Sequence, residues 1–252
     1  DEAIEVCRDA LRLQPEYASA YAVMGQTLWK MGLVERADEA YRTAIRLDPA
    51  DPAAYNDLAF LLKTSGRLEE AHEVLEAGIR NTPENADILA THGSVLEKQG
   101  RLAQLLANSR KAAQLAPDDV FHVVNLGHAL IKGRRFDEAI EVLRGAVRLD
   151  PKYARAHQKL GLALDLCGQD DEALAADRQA ASLDPNDATT HVNIGTVLME
   201  RRLGEEALAS FREALRLQPD DFFGQVNLAS VLNQLGRAEE AIAACRRAIR
   251  IQ

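Results

Sequence analysis

Asn125, Asn193 and Asn227 recur at multiples of a 34-residue spacing. Each amide carries two donors and an acceptor, so a row of them suits main-chain recognition of an extended peptide whatever its side chains. Arg155 and Lys159 lie one helical turn apart and form a pair of cations for a carboxylate or phosphate. His157, Asp177 and His191 are two imidazoles and a carboxylate. A buried aspartate needs a partner, so Asp177 is expected to pair with one of these histidines. Two histidines with a carboxylate also fit a metal. The expectation here is a satisfied polar core or an aspartate reaching solvent, with no metal and no cofactor. Motifs of catalysis are missing: no glycine-rich phosphate loop, no CxxC pair and no His-Glu-x-x-His.

The elements that position these groups repeat. Pro15, Pro49, Pro83, Pro117, Pro151, Pro185 and Pro219 are spaced 34 residues apart, which identifies a repeat array. With Ala18 as position 1, units run over 18–51, 52–85, 86–119, 120–153, 154–187, 188–221 and 222–252, after a half repeat at 1–17. Position 8 is always Gly or Ala, and position 11 is always Leu. Positions 20 and 27 are small, except for Leu105 at position 20. Small residues let two helices approach closely while the leucines fill their seam. Each unit carries two segments of helical periodicity, such as Leu58-Leu61-Leu62 and Val74-Leu75-Ile79. A turn such as Ser65-Gly66-Arg67 joins them, and the period proline blocks continuation past the second helix. The fold class is all-α. The bulk of Leu105 predicts a local splaying of its helices.

The chain resembles the tetratricopeptide repeat family over its whole length. The family pattern can be traced through Tyr21, Met24, Gly25, Leu28, Ala37, Tyr41, Ala44 and Pro49. The resemblance implies a right-handed α-solenoid superhelix of helix-turn-helix repeats, with a concave groove lined by first helices. It also implies that positions 2, 5, 6, 9, 12 and 13 meet a partner.

Position 6 reads Val23, Asp57, Thr91, Asn125, Lys159, Asn193 and Asn227, and Asn56 stands at position 5. This partial row resembles the asparagine ladder of O-linked N-acetylglucosamine transferases, departing at Val23, Asp57 and Lys159. Arg155 and Lys159, with Asn125, His128 and Lys132 of the preceding repeat, resemble half of a clamp for a chaperone's acidic tail. Ala90 and Ser94 stand where the other half would be. Trp29, Phe60, Phe121 and Phe223 are apolar groove positions and candidate peptide contacts. The competing reading of these aromatics is packing between first helices.

Composition narrows the function. A formal net charge of -9 opposes general nucleic-acid binding, which needs a basic face. No apolar run is long enough to span a membrane. Cys7, Cys167 and Cys245 lie too far apart to bridge, which points to a reducing, cytoplasmic setting. Cys7 and Cys245 share position 24, a core site. The ends lack the polar faces of terminal repeats and suggest a fragment of a longer protein, or end-to-end self-association.

The sequence therefore predicts a non-catalytic scaffold that binds a protein or extended peptide, possessing an acidic group, in its groove. The alternative is the substrate-recognition arm of a larger enzyme such as a glycosyltransferase.

Overall fold

The computed structural model describes residues 2–251, so the chain-end readings at Asp1 and Gln252 lie outside the described residues. These residues form two compact units, the first ending at Ala129 and the second beginning at Leu130. Helices α1 (Glu2–Leu13), α2 (Ala18–Lys30), α3 (Val34–Leu47), α4 (Pro52–Thr64), α5 (Leu68–Asn81), α6 (Ala86–Lys98), α7 (Leu102–Leu115) and α8 (Val120–Lys132) come first. Then follow α9 (Phe136–Leu149), α10 (Ala154–Asp165), α11 (Asp170–Leu183), α12 (Ala188–Glu200), α13 (Gly204–Leu217), α14 (Phe222–Gln234) and α15 (Ala238–Ile251). Among the described residues there is no strand, as the all-α reading expects.

Local chemistry sets the ends of these helices. Asp51, Asn85, Asp187 and Asp221 cap α4, α6, α12 and α14 by accepting backbone N–H bonds. Inside each unit, positive φ closes the turn between the two helices, as at Gly66 (78°) and Gly100 (71°). Arg134 and Arg202 occupy the same slot at 57° and 61°, where a side chain is strained.

In the first unit α1 to α7 pack in chain order, and the first helices α2, α4 and α6 also touch one another. In the second unit α9 to α15 pack in chain order, with α10, α12 and α14 in contact. Small position-8 residues lie under large position-24 side chains: a β-carbon on Gly25 would meet Tyr41 at 2.9 Å, and one on Gly195 would meet Phe211 at 2.6 Å. Leu105 reverses this pairing. It reaches over Gly93, and the small Ser109 at position 24 leaves it room.

Two expectations are corrected. Asp177 pairs with neither histidine, because His157 Nε2 meets the Pro151 carbonyl at 2.9 Å and His191 Nε2 meets the Pro185 carbonyl at 3.1 Å. Tyr55 does the same at position 4, its hydroxyl donating to the Pro49 carbonyl at 3.2 Å. Position 4 thus reaches back to the carbonyl that closes the previous repeat and is held away from position 24. Cys7 is buried but Cys245 is exposed, because no described helix packs over that face of α15.

Candidate functional site

The predicted contact residues lie on first helices, distributed over the two units. In the first unit, Trp29 on α2 meets Phe60 on α4 edge to face, with centroids 5.3 Å apart. Trp29 is half-buried and packs on the core, while Phe60 stays 44% exposed. Asn56, one turn before Phe60, is half-buried, and its Oδ1 lacks a hydrogen-bond partner. Asn125 and Phe121 lie on α8, Phe121 exposed and edge-on to His122 at 5.2 Å. His128 is engaged by Glu97 at 3.0 Å.

In the second unit, Asn193 on α12 and Asn227 on α14 take the same register one repeat apart, and both are half-buried. Phe223, one turn before Asn227, is 72% exposed. Arg155 is exposed on α10 and Lys159 half-buried one turn later; Lys132 is exposed at the end of α8.

Electrostatics distinguish several of these positions. Burial, reinforced by Asp51, raises the Asp57 carboxyl above the ordinary range. Asp165, Asp170 and Glu200 bring carboxylate oxygens within 4.8 Å of one another. Burial and then the charges of Glu200 and Asp170 push Asp165 up to about 6. Asp177 is wholly buried, and burial pushes it up to about 8, while the Asn193 amide draws it back.

Reasoning from sequence missed other clusters. Lys63, one turn after Phe60 on α4, places Nζ 5.3 Å from the Phe60 centroid and donates to Ser94 Oγ at 3.1 Å. The signal was present, since Phe60 and Lys63 stand three residues apart on one helix face. His72 Nδ1 lies 2.7 Å from His92 Nε2 inside the core. Arg67 joins Asp38 at 2.7 Å and Glu70 at 2.6 Å. No periodicity signals the histidine pair, whereas Arg67 and Glu70 recur at the same repeat positions as Arg135 with Glu138 and Arg237 with Glu240, so that pairing was legible.

Comparison with known proteins places the chain among repeat proteins. Residues 1–162 match the family model described as Cilia and flagella-associated protein 70 C-terminal domain. Residues 154–187 and 192–252 match models described as Tetratricopeptide repeat. No curated protein matches the sequence. Among solved structures, a chain of the APC/C hetero-tetramer Cut9-Hcn1 superposes with a TM-score of 0.74 at 19% identity, covering 92% of this chain and 46% of that one. This chain therefore spans about half the length of that relative. A tetratricopeptide repeat protein from Parabacteroides merdae gives 0.77 at 16% identity, covering 93% of each chain. YrrB, described as a TPR protein with an unusual peptide-binding site, gives 0.58 at 24%, covering 74% of this chain and 96% of its own. At these identities the likeness shows the fold alone. Among the described residues no helix is long and apolar enough to cross a membrane.

Proposed function

The chain belongs to the tetratricopeptide repeat family whose model is described as the Cilia and flagella-associated protein 70 C-terminal domain, and we propose that it is a non-catalytic scaffold holding an extended peptide or protein segment on its first helices. The observation that carries this reading is the pair Asn193 and Asn227. They are half-buried amides in one register on the contacting helices α12 and α14. Polar amides inside helices cost propensity, and main-chain hydrogen bonds to a peptide would repay it. Asn125 occupies the same position in the first unit. Arg155 and Lys159 would engage an acidic group in the second unit, and Phe121 and Phe223 would offer apolar contact. The peptide-binding description of YrrB is consistent with this reading.

An array of extended peptides tests it, probed with the parent chain and with an Asn125→Ala, Asn193→Ala, Asn227→Ala variant. Binding by the parent and loss in the variant are expected. Equal binding by both sinks the amide reading.

Self-association is a second reading, favoured by α15. Ile242 and Ile249 on that helix are 52% and 74% exposed, whereas Leu208, at the position of Ile242 one repeat earlier, is 1% exposed. A scattering mass that stays monomeric with rising concentration would end it.

A further inference from the structure

Trp29, Phe60, Lys63 and Ser94 meet on α2, α4 and α6 of the first unit, and the Lys98 charge acts on Lys63. The Trp29 and Phe60 rings stand 81° apart, and Phe60 remains exposed. Lys63 is half-buried with its ammonium over that ring and one hydrogen bond, to Ser94 Oγ. Ser94 spends its own proton on the Thr91 carbonyl at 2.8 Å. Lys98, one turn beyond Ser94 on α6, is exposed. Burial first, and the Lys98 charge second, lower the affinity of Lys63 for its proton.

The chain carries 39 acidic residues against 30 basic ones, and its arginines are widely paired across repeats, as in Arg42–Glu70 and Arg144–Glu172. Yet among the described residues neither Lys63 nor Lys98 has a carboxylate partner. An ammonium partly stripped of water, and near enough to a second one to feel its charge, would gain from an anion placed beside both. The aromatic pair beside them offers area to an apolar side chain. In an extended peptide, residues i and i+2 point to the same side, roughly 7 Å apart.

We propose that Trp29, Phe60, Lys63 and Lys98 form a subsite for a peptide carboxylate side chain set two residues from an apolar one. This deepens the peptide-scaffold reading and rests on it. It adds an acidic preference in the first unit, where among the described residues these two cations have no carboxylate partner.

Trp29 is the only tryptophan of the chain, so its emission reports this subsite directly. The probes are acetyl-Phe-Ala-Asp-amide and its uncharged match, acetyl-Phe-Ala-Asn-amide. The Asp peptide is expected to shift Trp29 emission with half-saturation about fivefold below that of the Asn peptide. The discrimination should vanish in Lys98→Met, an exposed position, and in Lys63→Met wherever its melting curve matches the parent. Equal titrations by both peptides, or discrimination that survives in Lys98→Met, would overturn the proposal. In the array experiment, hits without an enriched apolar-x-acid pattern would overturn it too, while leaving the scaffold reading in place. An array without hits alongside tripeptide discrimination would overturn the scaffold reading and retain the anion subsite.

Discussion

The Asp177 carboxylate lies over Gly161 so closely that a β-carbon on the glycine would stand 2.3 Å from Oδ1. In four other units position 24 holds a large side chain, Tyr41, Leu75, Leu143 or Phe211, each buried. Asp177 takes their place with neither oxygen in a hydrogen bond of good geometry, and the Asn193 amide is the one group beside it that favours its charge.

The consequence is a pH-dependent stability in the second unit. Burial lifts the Asp177 carboxyl to about 8 from an ordinary value of 3.8. Its folded form therefore holds the proton more tightly than its unfolded form. The stability it contributes is present below the ordinary value and lost as pH rises through about 8. Asp177→Asn should flatten this profile and exceed the parent at pH 8 by on the order of 2–4 kcal/mol. Urea unfolding at several pH values measures it, and parallel profiles would contradict the burial account.

The first unit should weaken in the opposite direction. His92 is bonded to His72, and its Nδ1 lies 2.9 Å from Asn108 Nδ2. Burial, followed by the neighbouring His72, lowers its pKa to about 4. Stability from this group is present above the ordinary histidine value and lost as pH falls toward about 4. Hydrogen exchange at Val95 and Leu96 should accelerate between neutral pH and that value, relative to the intrinsic rates and to Val197 and Leu198. Unchanged protection would show that the pair carries charge at no cost.

Gly78 lies at a close helix contact. A β-carbon there would stand 2.2 Å from Ile88 Cδ1 and 2.9 Å from Tyr55 Cγ. Gly78→Ala should lower stability by about 1–3 kcal/mol through overpacking, despite the better helix propensity of alanine. A thermal melt equal to the parent's would show that Ile88 swings aside freely.

Arg202 sits at a φ of 61° in a slot where Gly168 and Gly236 take 72° and 73°. Arg202→Gly should stabilise the chain by about 0.5–1 kcal/mol, the left-handed cost exceeding the added freedom of the unfolded glycine. Denaturant midpoints of the two proteins decide it.

The fold was legible in the sequence because its determinants are local or periodic. First helices begin at Ala18, Pro52, Ala86, Val120, Ala154, Ala188 and Phe222, the residues at which the proline period starts its repeats. The candidate contacts were legible only as helix faces. Phe60 and Lys63 could be placed on one side of α4, but the neighbouring residues across from them could not.

The sequence by itself determined which segments are helical, where they turn and which small residues let them meet. Spacing alone carries that information, since one turn of helix relates residues three or four apart. The tertiary structure alone decided the pairings between helices. His72 met His92 across 20 residues, Lys63 met Ser94 across 31, and His157 turned to the Pro151 carbonyl instead of Asp177. It also decided that Cys7 is covered and Cys245 is not, although both stand at position 24. A position in a repeat fixes the direction of a side chain along its own helix, but its neighbours, and so its burial and charge state, come from the helix packed against it.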